Sequence, residues 1–262
     1  MLKVLDLFSG IGGFSLGLES TGHFETIAFC EKDKFCQKVL KKNFKDIPII
    51  GDIRDVKGSE FKADVITGGF PCQSISIAGK QKGKDDDRYL FPEMLKVIKE
   101  VKPRWIIGEN VQNLINISNG TILKEIIEGL ETENYEVQCF SISASSQGAW
   151  HKRERIWIVA NSKCYKRQDT STRQSRASKL WRFYSAKEEQ TSHDLWSKTS
   201  RCNAPFGQDS WWNFESRVRR IPHGLSKRMD RFRKDRIKAL GNSIVPQIAR
   251  EIGKAIIEAE NV

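Results

Sequence analysis

The sequence predicts an α/β fold built on a twisted, mainly parallel sheet, with a small irregular second domain, and three observations carry that expectation. From residue 1 to 160, short β-branched runs alternate with amphipathic stretches. After Ala160 the periodicity stops until about Ile237. It returns in an apolar series from Ile244 to Ile256, so the α/β unit is interrupted at the break and completed after it. The expected domains are therefore 1–161 with 237–262, and a segment 162–236 inserted between them.

Taken in order, the strand runs are VLDLF, TIAFC, VITGG, RWIIGE, VQCFSIS and RIWIVA, with helical spacing at 14–20, 33–43, 90–101 and 121–130 between them. The closing helix carries Ile244, Val245, Ile248, Ala249, Ile252, Ala255 and Ile256 on one stripe, with Asn242 or Ser243 expected as its cap and Pro246 in its first turn. No internal repeat is present.

Hydrophobic residues make up 39% of the 262, and no apolar run of about 18 residues exists to cross a bilayer. The opening MLKVLDLFSG lacks the order of a secretory signal, so export is not expected and the protein reads as cytoplasmic. Six cysteines, at 30, 36, 72, 139, 164 and 202, show no C-x-x-C spacing; they read as reduced thiols, and no metal site is expected.

The formal charge of +11 is unevenly placed: residues 162–236 hold 19 Lys/Arg against 8 Asp/Glu, while the remainder holds 25 of each. That segment also carries Trp181, Trp196, Trp211 and Trp212 among few aliphatics. The mixture suits phosphate contact and base stacking, hence a polyanion partner, although a solvated insert has similar charge.

Two turns carry the candidate chemistry. The first, Asp6 to Phe14 (DLFSGIGGF), is a glycine-rich link from the first strand to the first helix, where backbone N–H groups can approach a ligand. Glu31 ends the second strand about 20 residues on, where an acid can accept ribose hydroxyls, and Asp52 follows the third short strand, placed for an adenine amino group. The loop form G-x-G-G differs from the pyrophosphate-binding G-x-G-x-x-G, which favours a nucleoside without phosphates such as S-adenosylmethionine. Gly10, Gly12 and Gly13 could equally make only a tight turn, and Glu31 and Asp52 only cap helices.

The second turn, GGFPCQS, places Cys72 directly after the apolar strand 65–67, at a switch-point edge where a lowered pKa would supply a thiolate nucleophile. Glu109 ends the strand begun by Trp105, and Arg153 and Arg155 open the last strand; all would converge on one crevice. Each also has a structural reading: Cys72 as a small buried hydrophobe, Glu109 as a cap, the arginines as surface ion pairs.

Taken together and in this order, DLFSGIGG, GGFPCQS, GENV, HKRERIWIVA and RIKALGNSIVPQIA resemble the cytosine-5 DNA methyltransferase family, most of all its small bacterial and phage-borne members. The resemblance covers roughly 1–160 and 215–262; the family usually has Gln where His151 stands, and its recognition region is here short. It implies a Rossmann-like, S-adenosylmethionine-dependent methyltransferase with S-adenosylhomocysteine as product. Phe8, Ser9, Gly10, Gly12 and Gly13 would hold the cofactor, Glu31 its ribose, Asp52 and Ile53 its adenine, and Asn242 and Ser243 would complete the wall. Cys72 would attack carbon 6 of an everted cytosine, Glu109 contact ring nitrogen 3 and the exocyclic amine, and Arg155, with Arg153 nearby, hold the 2-carbonyl oxygen, while Gln73 and Asn110 steady the loops.

Carbon 5 of cytosine is a poor nucleophile until a thiolate adds at carbon 6, and the negative charge that then develops calls for a proton at ring nitrogen 3. Glu109 would need a pKa raised by burial to supply it. The base must leave the duplex, and the basic segment 162–236 would offset that cost, reading a short site. Residues 76–88 resemble the family's mobile catalytic loop, or are an ordinary solvated linker. The resemblance further implies double-stranded DNA as partner, a monomer, and a place in restriction-modification, with a cognate restriction endonuclease, or in phage self-protection. Methylation of RNA cytosine, or a DNA-binding module without activity, are the alternative readings.

Overall fold

The computed structural model describes residues 1–71, 89–149, 151–163 and 233–260. Cys72, Gln73, the stretch 76–88 and nearly all of the basic segment lie outside the described residues. By its contacts the chain divides into two units, one of Met1–Ile142, Glu154–Asp169 and Ala239–Val262, the other of Ser143–Arg153 and Thr170–Lys238.

The first unit is built on a seven-stranded sheet. Its strands are β1 (Leu2–Leu7), β2 (Phe24–Cys30), β3 (Ile49–Ile50), β4 (Val65–Gly68), β5 (Trp105–Val111), β6 (Tyr135–Ser143) and β7 (Glu154–Ser162), in the order β3-β2-β1-β4-β5-β7-β6. Pairing is parallel from β3 to β5, and β7 runs antiparallel to β5. The order reverses between β1 and β4, and in open α/β sheets the crevice beyond the strand ends at such a point is where ligands bind. Continuous burial along β4 and most of β1 and β5 explains why these strands read as apolar runs: helices cover both faces.

The helices are α1 (Gly13–Glu19), α2 (Lys34–Asn43), α3 (Phe91–Val101), α4 (Thr121–Thr132), α5 (Arg233–Asn242) and α6 (Pro246–Glu260). Two features depart from the sequence reading. Helix α5 falls where no apolar periodicity exists, because of its residues 234–242 only Ala239 is buried. And neither Asn242 nor Ser243 caps α6: Asn242 closes α5, and α6 starts at Pro246, whose ring disfavours helical conformation in the residue before it. No helix among the described residues is long and apolar enough to cross a membrane.

Helix α6 returns the end of the chain to its beginning. Its stripe of Ile248, Ala249, Ile252 and Ile256 is buried, and α1 meets it through glycine. A Cβ on Gly17 would stand 2.3 Å from the Pro246 carbonyl oxygen, and one on Gly253 would stand 2.9 Å from Leu18. At its far end, Glu260 accepts a 2.7 Å hydrogen bond from the Trp105 indole N–H and pairs with Arg104.

One polar group lies at the centre of the sheet. Asp6 on β1 is fully buried; its Oδ1 accepts from Thr67 of β4 at 2.6 Å and its Oδ2 from Ser15 of α1 at 3.1 Å. Burial is the main cause that pushes its pKa up to about 7, against the lowering effect of the two hydroxyls.

This packing and burial set the expected behaviour of three variants. Gly17→Ala is expected to destabilise the fold by about 1–3 kcal/mol, lowering the thermal midpoint, because the new methyl meets backbone. Gly241→Ala, whose Cβ meets nothing within 4 Å, should be neutral or slightly stabilising. For Asp6, the folded state holds its proton up to about pH 7 whereas the unfolded chain releases it near 3.8. This residue's contribution to stability is therefore fully present below pH 4 and is lost as pH rises towards 7, by about 4 kcal/mol. Denaturant titrations of the wild type and Asp6→Asn across that window should differ by this slope, and parallel curves would contradict it.

Candidate active site

The glycine-rich turn is held from two sides. On one, Ser9 donates its hydroxyl to the Asp6 carbonyl at 2.6 Å, and its N–H bonds the Cys30 carbonyl at 3.1 Å. On the other, Glu31 accepts from the Gly10 N–H at 2.7 Å and from the Asp33 N–H at 2.6 Å, one on each carboxylate oxygen. Burial raises the Glu31 pKa above the ordinary glutamate value, against those N–H donors. Glu31 does not cap α2; that role belongs to Asp33, whose side chain accepts from Phe35 and Cys36.

The glycines divide their work. Gly10, at φ +55°, has open space where a Cβ would stand, so a ligand can approach the backbone there. Gly12 and Gly13 are pressed on protein: their Cβ atoms would meet the Phe44 ring at 2.5 Å and Ile244 at 2.9 Å. Phe8 also takes a left-handed conformation, φ 53°, as the chain turns out of β1.

Asp52 caps the short turn Ile53–Asp55, accepting from the Arg54 N–H at 3.0 Å, and pairs with Lys32 at 3.2 Å. The Arg54 N–H, then Lys32, holds its carboxyl below the usual aspartate range. Ile53 is buried in the core. Asn242 is exposed and Ser243 half-buried, in the turn between α5 and α6 that Ile244 presses against Gly13. The residues present fit a nucleoside: an open backbone edge at Gly10, and beside it a half-buried carboxylate whose oxygens each accept one N–H and keep capacity for a ribose hydroxyl.

The second half of the site lies where β5 meets β7. Arg155 Nε stands 3.2 Å from Glu109 Oε1, with both side chains largely buried, at 20% and 12% exposure. This is an internal ion pair, neither a helix cap nor a surface bridge. Trp157 is directly opposite Glu109 in the ladder, so the two side chains share a face. Its fully buried indole meets the Phe14 ring edge-on at 5.7 Å. Asn110 donates to the Phe70 carbonyl at 3.0 Å and accepts from the Val111 N–H, tying the end of β5 to the chain two residues before Cys72.

The two halves meet through one residue. A Cβ on Gly69 would stand 3.4 Å from Ile244 Cδ1 and 3.6 Å from Glu109 Oε2, so Ile244 touches both the cofactor-side turn and the chain beside the carboxylate. The sequence reading missed Ile244, Ser15, Thr67 and Trp157, each of which reads as ordinary helix or strand. Arg153 belongs to the second unit, at φ 32° just before β7, where the Ala144 N–H bonds the Lys152 carbonyl at 2.9 Å and the Arg153 carbonyl at 3.3 Å. Among the described residues no cluster of His, Cys, Asp and Glu could hold a metal ion.

The chain is similar to known proteins along much of its length. The Type II methyltransferase M.Bsp6I of Bacillus sp. (strain RFL6) is 42% identical over 163 residues, 61% of this chain and 52% of that protein. M.HhaI of Haemophilus parahaemolyticus is 38% identical over 160 residues, 60% of this chain and 48% of that protein. The chain thus spans about half the length of these curated relatives. Among solved structures, a prophage-encoded DNA modification methyltransferase of E. coli superposes with TM-score 0.55 at 25% identity, over 65% of this chain and 49% of that one. A Spodoptera frugiperda DNMT2 variant superposes with TM-score 0.64 at 17% identity, over 98% of this chain and all of that one, which shows the shared fold. The profile of C-5 cytosine-specific DNA methylases matches residues 2–230, through both turns and the β5–β7 pair, and the chain belongs to that family.

Proposed function

We propose that this protein transfers a methyl group from S-adenosylmethionine to carbon 5 of cytosine in duplex DNA. The observation that carries the reading is the Glu109–Arg155 pair, a largely buried carboxylate and guanidinium 3.2 Å apart beside the chain that leads to Cys72. Such a pair offers the donor and acceptor edges that a pyrimidine presents at ring nitrogen 3, its exocyclic amine and its 2-carbonyl. The bound cofactor supplies an electrophilic methyl group; everything else falls to the chain.

Glu31 and the Gly10 edge would hold the nucleoside, with Phe8, Asp52 and Ile53 at its base and Asn242 and Ser243 closing the wall. Ser9, Gly12 and Gly13 would hold the nucleoside together with Gly10, Ser9 also tying the turn to the Asp6 and Cys30 carbonyls. Cys72 would add to carbon 6 of the everted base; Glu109, taking a proton from solvent once the base has displaced Arg155 from it, would donate that proton's hydrogen bond to nitrogen 3, and Arg155, with Arg153 nearby, would steady the charge at the carbonyl. Loss of the carbon 5 proton and release of Cys72 then restore the ring. Before a base enters, Arg155 and Glu109 neutralise each other; substrate must exchange that contact for its own, which keeps two buried charges from ever being left unpaired. The basic segment 162–236 would grip the phosphates, as a recognition domain distinct from 1–161 with 237–262. Likeness to bacterial Type II enzymes supports a cytoplasmic enzyme with a cognate endonuclease.

Labelled methyl groups should pass to duplex DNA in preference to RNA, and Cys72→Ser should abolish transfer and irreversible capture by 5-fluorocytosine DNA. Undiminished transfer by Cys72→Ser would overturn the mechanism. Glu109→Gln and Arg155→Lys should each keep the fold, checked by circular dichroism, and slow turnover by about 10²–10³-fold.

A further inference from the structure

Outside the basic segment 162–236 the charges of the chain balance in number but not in place. Residues 34–45 hold five lysines and no Asp or Glu. Four of the five lie on α2. Lys34, Lys38 and Lys42 follow one another at four-residue spacing and Lys41 stands three beyond Lys38, so all four share one side of the helix, and all four are exposed. The opposite side carries the buried Cys36 and Leu40, which seat α2 on the sheet, and Leu40 and Phe44 lie against Gly12. The row of ammonium groups is therefore carried on a fixed support.

The other helices treat their lysines differently. Lys124 pairs with Glu128 along α4, Lys254 with Glu251 along α6, and Lys99 of α3 with Glu133. Among the described residues none of the four lysines of α2 makes an ion pair, and Lys34 donates to the neutral Gln37 at 3.4 Å. Like charges four residues apart on a helix repel, as Lys34 and Lys38 do, and Lys38 and Lys42. The helix dipole favours cations in the last turn, where Lys41 and Lys42 stand, but not in the first, where Lys34 stands. A surface charged for solubility alone mixes both signs. A row of one sign that works against its own helix is offset when a polyanion lies along it.

The dimensions fit such a partner. From Lys34 to Lys42 the helix rises about 12 Å, the axial distance over which one DNA strand presents three to four phosphates. Compact ammonium groups on long stems make point-charge contacts, which suit backbone and not base edges. Because β2 and β3 are parallel, α2 runs back from the crevice edge, with Lys34 next to the cap Asp33 and Lys42 at the far end.

We infer that the lysine face of α2 is a second DNA-contact surface, beside the one proposed for the basic segment, and that it holds the phosphate backbone of non-target duplex without reading sequence. The inference rests on the proposed DNA substrate. It gives the cofactor-binding unit a grip of its own on DNA, one that keeps the enzyme on the duplex between sites.

The test changes Lys34, Lys38, Lys41 and Lys42 together to Gln and follows binding to a long duplex of arbitrary sequence by fluorescence anisotropy across a salt series. The slope of log affinity against log salt should be shallower than in the wild type by about 3, and affinity at about 0.1 M salt should fall at least tenfold. Changing the same four lysines to Arg should leave both near wild type. Changing Lys57, Lys99, Lys124 and Lys254 to Gln removes equal charge from paired positions and should alter the slope by no more than about 1. At saturating DNA the kcat for methyl transfer should be unchanged in the α2 variant while KM rises. Should that variant melt below the wild type, Lys34→Gln with Lys38→Gln, both away from the last turn, decides through a fall in slope of about 2. An unchanged slope, an equal change in the control variant, or a loss confined to duplex RNA overturns the inference while leaving the methyltransferase reading intact. Failure of the wild type to bind duplex DNA at all overturns both.

Discussion

Helix α6 docks on α1 through glycines on both sides of the contact. Gly17 lets the Pro246 carbonyl approach, Gly253 admits Leu18, and Gly13 accepts Ile244, so the last segment of the chain lies against the first helix at backbone distance. Everything that the site needs follows from that approach. It places the turn of Asn242 and Ser243 beside the glycine-rich loop, and it puts Ile244 where one side chain reaches both that loop and the Gly69 backbone next to Glu109. A chain interrupted by a long insert still completes its own ligand crevice, because the two halves meet through surfaces too closely fitted to accept another partner.

The remainder of the site is an exercise in holding charge out of water. Glu31 is satisfied by two backbone N–H groups, Glu109 by a guanidinium, Asp6 by two hydroxyls. The three solutions differ in what they leave available. Glu31 keeps acceptor capacity on each oxygen, Glu109 keeps a partner that a base can displace, and Asp6 keeps a proton. Trp157, opposite Glu109 and edge-on to Phe14, fills the space behind the ion pair with ring instead of water. That exclusion strengthens the electrostatic interaction in front of it.

Much of this was legible in the sequence because the relevant signals are local. β-Branched runs marked the strands that proved buried on both faces, and the acids Glu31 and Glu109 stood out by ending such runs. What escaped was set by tertiary contact. Helix α5 buries only Ala239 along residues 234–242, so no apolar period announces it. The start of α6 was displaced to Pro246 by the proline ring, where polar Asn242 and Ser243 offered a more obvious cap. That a Cβ on Gly12 or Gly13 would press on α2 or on the α5–α6 turn is set by neighbours far along the chain, which no local pattern announces. Asp6 looked like the polar start of a loop; its burial depends on Ser15 and Thr67, residues 9 and 61 positions away.

The contact of Glu260 with the Trp105 indole and with Arg104 gives the closing helix a second attachment, at the start of β5 and so at the opposite end of the parallel strands from the crevice. Fifteen residues of helix separate the two, a rigid rod of about 22 Å. Strain applied at one end is therefore delivered to the other with little loss along the way. A fusion partner joined directly behind this helix pulls on the cofactor crevice as much as on the turn it extends.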